Sequence, residues 1–228
     1  MRQDHRFSTR YVRRLPPLVA AVATLMLGTL PVRAQDAVKG APLTPPVVSQ
    51  PGPLDLVKAS VTRALAIAQS QADAGQQRVE IRQVGEALFD FKEMGRRVLA
   101  QHWTDRSPQE QEEFVRLFTD LLERSYLTAM GNRRSGTVTF QGESIEGSSA
   151  QVRSRFITDR GTEIPMEYRL LESGGRWAAY DVVVEGVSFI SSYRSQFNSI
   201  IRSSSFAGLL DKLREREKRL SQGGDEKP

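Results

Sequence analysis

The stretch DVVVEGVSFISSYRSQFNSII, residues 181–201, joins a strand pattern to a helix pattern. Residues 177–184 are rich in β-branched and aromatic side chains, which favours a sheet, and Gly186 then interrupts the pattern. Beyond it, apolar residues recur mostly every three or four positions, which predicts one apolar helix face. These residues are Val187, Phe189, Ile190, Tyr193, Phe197, Ile200 and Ile201. The sequence therefore predicts a strand that turns directly into an amphipathic helix, with Ser188 as its cap.

Four segments with a strand period lead up to this helix. From residue 136 the apolar period changes to two, over residues 137–144, 150–158, 163–171 and 177–185, with short turns between them. The third segment is the clearest, because Met166 and Tyr168 alternate with Glu167 and Arg169. Short turns between alternating strands predict an antiparallel four-stranded meander with one buried face.

Helical patterns lie on both sides of the meander. Residues 54–74 have a helical apolar stripe, and residues 76–103 are helical with an interruption, after which Asp90 is placed to cap a second short helix. Ser107-Pro-Gln-Glu110 is a capping-box start for a helix to about residue 130, and residues 206–220 form the last helix. This order predicts an α+β domain in which helices pack on one face of a curved sheet and enclose an apolar cavity.

The chain begins with the pattern of an export signal. Five arginines precede an uncharged apolar run over residues 18–30, and Val32-Arg33-Ala34 offers small residues for cleavage after Ala34. We therefore predict a signal peptide over residues 1–34. A proline-rich, disordered leader over residues 35–53 is expected next, then a single domain over residues 54–220 and a polar tail over residues 221–228.

Removal of the signal would leave a neutral protein. The chain has 32 Lys+Arg and 27 Asp+Glu, and residues 1–34 hold six of the basic residues and one of the acidic residues. The rest of the chain therefore has 26 of each. A neutral chain gives no support for a nucleic-acid partner, so none is expected.

The sequence has few residues for catalysis or metal binding. It contains no cysteine, and after residue 34 its one histidine is His102, which is more typical of a structural residue than of a ligand. Asp181 and Glu185, four apart on a predicted strand, would face the same side about 13 Å apart, too far for most acid–base pairs. We expect them to stabilise the turn. No metal, no cofactor and no catalytic residue is predicted.

Several motifs resemble one family of lipid carriers. The first motif begins with Phe89-Asp-Phe91 and extends to Phe114. Trp177-x-x-Tyr-Asp-Val-x-Val-Glu-Gly-Val-Ser188 followed by Tyr193-Arg-Ser-Gln-Phe197 is the most specific, and Phe206-x-x-Leu-Leu-x-x-Leu213 closes the set. In this order, over about residues 54–215, the chain resembles the MlaC family, also called the toluene-tolerance family, of periplasmic lipid-binding proteins.

The resemblance implies an NTF2-like fold and a soluble periplasmic carrier. Such a protein would move glycerophospholipid between an outer-membrane lipoprotein complex and an inner-membrane ABC transporter, and it would not be an enzyme. Relatives of the family also occur near hopanoid-synthesis genes, so a hopanoid-related lipid remains an alternative. Two further alternatives are an NTF2-like enzyme using His102 and Asp181, and an interaction module that docks through the helix at residues 187–201.

Candidate cavity residues were chosen by predicted face and by size. They are Phe91, Leu99, Phe118, Leu121, Met166, Tyr168, Val183, Phe189, Tyr193 and Phe197. A solid core would use the same residue types, so the sequence alone leaves both arrangements open. Arg194 could contact a lipid phosphate or pair with Glu185, and the pairing is the preferred expectation.

Overall fold

The computed structural model describes residues 50–131, 136–158 and 160–221. The predicted signal peptide lies outside these residues, as do most of the leader and nearly all of the tail. The described part contains helices α1 (Pro53–Gln69), α2 (Ala74–Leu88), α3 (Phe91–Leu99), α4 (Pro108–Gly131), α5 (Phe189–Ser204) and α6 (Phe206–Ser221). A 3₁₀ turn, Ala100–His102, extends α3. The strands are β1 (Gly136–Glu146), β2 (Ser149–Thr158), β3 (Glu163–Ser173), β4 (Arg176–Val184) and β5 (Val187–Ser188).

The predicted meander is confirmed, with one strand added. All neighbouring strands are antiparallel, in the order β1-β2-β3-β4-β5. The fifth strand pairs Val187 with Val184 and Ser188 with Val183. Two residues are too few to show an alternating period, so the sequence pattern missed this strand.

One face of the sheet is buried under α1. Val152, Ser154 and Phe156 of β2 are buried, whereas Arg153 and Arg155 are exposed, as the alternation predicts. The buried residues of this face and the apolar residues of α1 form one group, which we call the sheet cluster. Its members are Val57, Val61, Leu65, Leu88, Ala150, Val152, Phe156, Ile164, Met166, Tyr168, Leu170, Ala179, Val182 and Val184.

The remaining helices build a second group, which we call the helix cluster. Its buried members come from α3, α4, α5 and α6 and from the turn after α3. They are Met94, Val98, Leu99, Trp103, Phe114, Leu117, Phe118, Leu121, Ile190, Tyr193, Phe197, Phe206, Leu209, Leu210 and Leu213. Phe89, between α2 and α3, is half-buried and packs against both clusters.

Three of the predicted caps are confirmed. The Asp90 carboxylate accepts a hydrogen bond from the Glu93 amide at 2.9 Å. The Glu110 carboxylate accepts from the Ser107 amide at 2.8 Å, and the Ser107 hydroxyl accepts from the Glu110 amide at 3.3 Å. Ser188 accepts from the Ser191 amide at 3.1 Å and starts α5. These contacts satisfy backbone donors that the first turn of a helix leaves free.

The first helix is shorter than predicted. It begins at Pro53, which was assigned to the leader, and ends at Gln69, whereas the pattern predicted residues 54–74. Asp73 starts α2, because its carboxylate accepts hydrogen bonds from the amides of Gly75 and Gln76. Ala68 and Ala72 fit a continuous helical stripe, so the pattern placed the end of the helix too late.

The predicted placement of Asp181 and Glu185 on one side of a strand is wrong. β4 ends at Val184, and Glu185 has a φ of 50° in the turn before β5. The register with β3 also shifts, since Arg169 pairs with Asp181 but Leu170 pairs with Ala179. This bulge at Tyr180 changes which side chains of β4 share a face, and cross-strand pairing of this kind leaves little trace in a single segment.

Candidate functional site

Nine of the ten candidate cavity residues fall into two walls. Met166, Tyr168 and Phe189 belong to the sheet cluster or pack against it. Val183 is buried but belongs to neither cluster. The other six belong to the helix cluster or pack against it: Phe91, Leu99, Phe118, Leu121, Tyr193 and Phe197. A ligand that touched most of these residues would therefore lie between the sheet cluster and the helix cluster.

Aromatic rings form the centre of the helix wall. The ring centroids of Phe118 and Tyr193 are 5.3 Å apart at an interplanar angle of 81°, and those of Phe118 and Phe197 are 5.9 Å apart at 79°. Such edge-to-face pairs add about 0.5–1.5 kcal/mol each beyond the burial of their area. α4 and α5 are thus joined by specific aromatic contacts.

Phe114 is a member of this wall that the prediction of the cavity omitted. It is fully buried, stacks on Phe118 at 5.7 Å and meets Phe197 edge-on at 5.8 Å. Its spacing of four residues from Phe118 is the signal that could have placed both rings on one helix face.

The sheet wall is apolar with a buried hydroxyl. Tyr168 is 4% exposed, and burial raises the pKa of its phenol above the ordinary value, while the hydroxyl of Ser154 opposes that shift. The phenol is therefore neutral at physiological pH. Ser154, on the neighbouring strand, is also buried, so the wall combines apolar side chains with two uncharged hydroxyls.

Phe89 lies where the two walls meet. Its backbone bridges Ala179 of β4, and the amide of Asp90 donates to the carbonyl of Ala179 at 2.9 Å. Its ring is 5.8 Å from that of Phe91, centroid to centroid. The segment between α2 and α3 is thus fixed to the sheet at a side chain that packs against both clusters.

The carboxylate of Asp181 stabilises the joint between β4 and α5. It is 2% exposed and accepts hydrogen bonds from the Ser188 hydroxyl at 2.6 Å and the Ile190 amide at 3.1 Å. Nη1 of Arg169, on β3, lies 3.5 Å from Oδ2 of Asp181. The expectation that Asp181 stabilises the turn is confirmed.

His102 lies in a different environment. Its Nε2 is 3.0 Å from Oδ1 of Asn198, on α5. His102 and Asp181 are both described, and no hydrogen bond joins them. His102 is instead hydrogen-bonded to Asn198 of α5, and Asp181 is hydrogen-bonded to Ser188 and to the Ile190 amide at the start of α5. The geometry does not bring these two side chains together as an acid–base pair.

Arg194 does not pair with Glu185. Its Nε donates to the backbone carbonyl of Arg97 at 2.9 Å, so the exposed Arg194 side chain lies over the last turn of α3. The expected ion pair is absent because Glu185 belongs to the turn before β5 and does not lie on the strand next to α5.

A buried charged group joins α2 to α4. Glu123 is 4% exposed and Asp120 is 6% exposed, and both accept hydrogen bonds from Arg82. Burial raises the pKa of Glu123, and the Arg82 charge opposes the increase. The Arg82 guanidinium is thus hydrogen-bonded to two buried carboxylates at the contact between α2 and α4.

Other chemical features are sparse in the described ranges. Residues 50–131, 136–158 and 160–221 contain no cluster of three His, Cys, Asp or Glu side chains that could hold a metal ion. Within the same ranges no helix has the length and apolar character needed to cross a membrane. A cleft of about 10 Å³ lies between α4 and α6, with Leu117, Leu121 and Leu213 in its lining. It has room for about one water molecule.

Comparison with known proteins gives matches of three kinds: to a sequence profile, to curated relatives and to solved structures. A sequence profile described as "MlaC protein" matches residues 58–215. A relative from Haemophilus influenzae, the "Intermembrane phospholipid transport system binding protein MlaC", is 23% identical over 126 residues, which is 53% of this chain and 59% of that protein. The chain thus matches less than two thirds of that relative's length.

The third match is a solved structure. It is the phospholipid-binding protein from Ralstonia solanacearum in complex with a phospholipid, with a TM-score of 0.66 and 25% sequence identity over 74% of this chain and 98% of that one. The antiparallel sheet with helices on its buried face is the α+β, NTF2-like arrangement that the resemblance implied. The profile spans well over half of the sequence, and the chain belongs to the MlaC family.

Proposed function

We propose that this protein binds glycerophospholipid and carries it through the periplasm between an outer-membrane lipoprotein complex and an inner-membrane ABC transporter. The observation that carries the proposal is the similarity to the Ralstonia solanacearum protein. That protein binds a phospholipid, and the match covers nearly all of its length. The name of the Haemophilus influenzae relative, which refers to intermembrane phospholipid transport, supports the same function.

The acyl chains would lie between the sheet cluster and the helix cluster. Both walls are apolar, and the uncharged phenol of Tyr168 adds no charge to them. Burial of each methylene contributes about 0.8 kcal/mol, so even one acyl chain offers a large driving force for separating the two clusters. The lipid would thus be bounded by the sheet cluster on one side and by the helix cluster on the other.

Release requires that the same walls can close again. Apolar contact of the sheet cluster with the helix cluster would offset part of the cost of the lipid's departure, while the aromatic pairs of Phe118 with Tyr193 and Phe197 hold the helix wall itself together. A carrier that gives up its cargo needs such an offset. The two-cluster core provides it without any catalytic step, and the protein is accordingly proposed to act as a carrier and not as an enzyme.

Export supports the periplasmic part of the proposal. The basic start, the short apolar run and the small residues at Val32 and Ala34 fit a cleaved signal peptide. Cleavage after Ala34 is tested by N-terminal sequencing of the protein recovered from the periplasmic fraction. An intact N-terminus on periplasmic protein would contradict it.

Lipid extraction tests the binding proposal. The protein is purified without detergent, extracted with organic solvent and analysed by mass spectrometry. A near-stoichiometric amount of glycerophospholipid supports the proposal, whereas a polycyclic hopanoid would show that the ligand belongs to that lipid class instead. Protein that yields no lipid and does not take up phospholipid from vesicles would overturn the proposal.

A further inference from the structure

Helices α3 and α5 lie side by side. Arg194 Nε donates to the carbonyl of Arg97, and His102 Nε2 lies 3.0 Å from Asn198 Oδ1. These contacts place α5 beside the last turn of α3 and beside the 3₁₀ turn that follows it. The exposed side chains of both helices therefore form one continuous face.

This face is strongly basic. Residues 91–102 and 189–204 contain five Lys or Arg residues and a single carboxylate, Glu93. We call these five residues the basic face: Lys92, Arg96, Arg97, Arg194 and Arg202. Glu93 hydrogen-bonds to both Arg96 and Arg97 and offsets one charge, and Asp90 at the start of α3 adds one further carboxylate. The face keeps a clear positive excess, although the chain after residue 34 is neutral as a whole.

Three of the five cations are exposed and have no carboxylate partner in the described ranges. Lys92 and Arg202 form no ion pair there, and the hydrogen bond of Arg194 goes to a neutral carbonyl. Their charge is therefore available to an external anion. The guanidinium carbon of Arg97, in contrast, lies 3.9 Å from the ring centroid of Tyr180, so this side chain packs beneath the exposed cations.

The basic face lacks the apolar anchors of a protein interface. The exposed side chains of α5 are all serines or arginines: Ser191, Arg194, Ser195, Ser199, Arg202, Ser203 and Ser204. Among the described residues the exposed large apolar side chains are Val79, Ile145 and Val187, and none of them lies on α3 or α5. Protein interfaces depend on buried aromatic or apolar anchors, whereas an anionic lipid surface attracts cations without them.

We propose that the basic face docks this protein reversibly on a membrane surface by binding anionic phospholipid headgroups. The inference deepens the proposed function, on which it rests. α5 carries Tyr193 and Phe197 of the helix wall on its buried side and the cations on its exposed side. Docking would therefore place the helix that lines the candidate lipid site directly against headgroups. The absence of an exposed apolar side chain from these helices makes the contact electrostatic and easily released.

Vesicle sedimentation tests this directly. The probes are mixed phosphatidylglycerol–phosphatidylcholine vesicles and pure phosphatidylcholine vesicles, at low and at physiological salt. The protein begins at Gln35, because every residue of both clusters lies beyond that point. We expect binding to the anionic vesicles alone, and weaker binding as salt shortens the screening length.

A matched pair of triple variants identifies the surface. Lys92→Gln with Arg194→Gln and Arg202→Gln removes three cations from the basic face. Each cation near an anionic surface contributes about fivefold, so this variant should bind about a hundredfold more weakly. The control is Arg63→Gln with Arg153→Gln and Arg176→Gln, which removes the same charge from exposed positions on α1 and the sheet. It should lose less than about fivefold.

Each outcome decides the proposal. Equal losses in the two variants would show a general charge effect and overturn the basic face as a docking site. No binding to phosphatidylglycerol vesicles at low salt would also overturn it, and the cations would then face an acidic protein instead. Co-purified phospholipid measured in both variants separates this inference from the proposed function, because the basic-face variant should retain its lipid. Thermal unfolding of all proteins confirms that the variants are folded.

Discussion

Ala100 has an unfavourable backbone conformation at the end of α3. Its φ of 50° and ψ of −117° lie in a region that glycine adopts readily and residues with a Cβ rarely adopt. The residue is exposed, so no packed side chain compensates for the strain. The conformation turns the chain from α3 into the 3₁₀ turn that carries His102.

Replacement of Ala100 by glycine should stabilise the protein. Relief of the strain outweighs the added freedom of the unfolded chain, for a net gain of about 1 kcal/mol in the free energy of unfolding. The control is Ala87→Gly, at an exposed position inside α2, which should cost about 1 kcal/mol. Urea unfolding measures both. A loss of stability in Ala100→Gly would contradict the strained geometry.

Asp181 is the residue on which the β4–α5 joint depends. Asp181→Asn keeps the shape but removes the negative charge that accepts from Ser188 and the Ile190 amide. Charged hydrogen bonds of this kind contribute about 1.5–3 kcal/mol, so we expect a loss of about 2 kcal/mol in the free energy of unfolding.

The exposed Glu185→Gln, four residues later, is the control for Asp181→Asn and should change stability by less than about 0.5 kcal/mol. Phospholipid content should be unaffected at moderate temperature in both variants. An unchanged denaturation midpoint in Asp181→Asn would show that the hydrogen bonds at the joint contribute nothing.

At the scale of elements, α2 is attached to α4 through buried charge. Arg82 of α2 binds Asp120 and Glu123 of α4, while a small apolar group, Ile67, Ile81 and Val84, joins α2 to α1. The pKa of Glu123 is raised by burial. Its contribution to stability is therefore fully present below the ordinary glutamate pKa and is lost as pH rises through the raised value.

Glu123→Gln should show this pH dependence by difference. Because glutamine does not titrate, the free energy of unfolding of the variant minus that of the wild type should increase from pH 4.5 to pH 7. Urea titrations at both pH values measure it, and titrating groups distant from Glu123 cancel in the difference. A difference that falls with rising pH would mean that Arg82 overcompensates the burial of this carboxylate.

Local chemistry made most elements predictable. The alternation in β2 and β3, the Ser107–Glu110 capping box and the Ser188 cap are set by residues within a few positions of one another, and all are present. The bulge at Tyr180 was not predictable, because it depends on pairing with β3. The break between α1 and α2 was predicted at residue 75, a few residues too late, because Asp73 was not recognised as a cap.

For the whole molecule, the important feature is the division of the core into two clusters. Residue type and helical face predicted which side chains are large, apolar and turned inward. They could not predict that Met166 and Tyr168 would join one cluster and Tyr193 and Phe197 the other. That division is set by contacts between residues distant in sequence, which no short-range period encodes.

Phe197→Leu and Phe156→Leu compare the helix wall with the rest of the core. Both rings are buried, at 4% and 1% exposure, but only Phe197 is a candidate lipid contact. Each change should cost about 1–2 kcal/mol of stability. Phospholipid content per protein, measured by extraction and mass spectrometry, should fall severalfold in Phe197→Leu alone. Equal content in the two variants would remove Phe197 from the lipid site.

Photocrosslinking tests the central claim, that phospholipid lies between the two clusters, most directly. The protein is loaded with a phospholipid carrying a diazirine in its acyl chain, irradiated and digested, and the modified residues are identified by mass spectrometry. The account predicts adducts on both walls, at residues such as Met166 and Tyr168 of the sheet cluster and Tyr193 and Phe197 of the helix cluster. Adducts confined to exposed residues, or to one cluster alone, would contradict it.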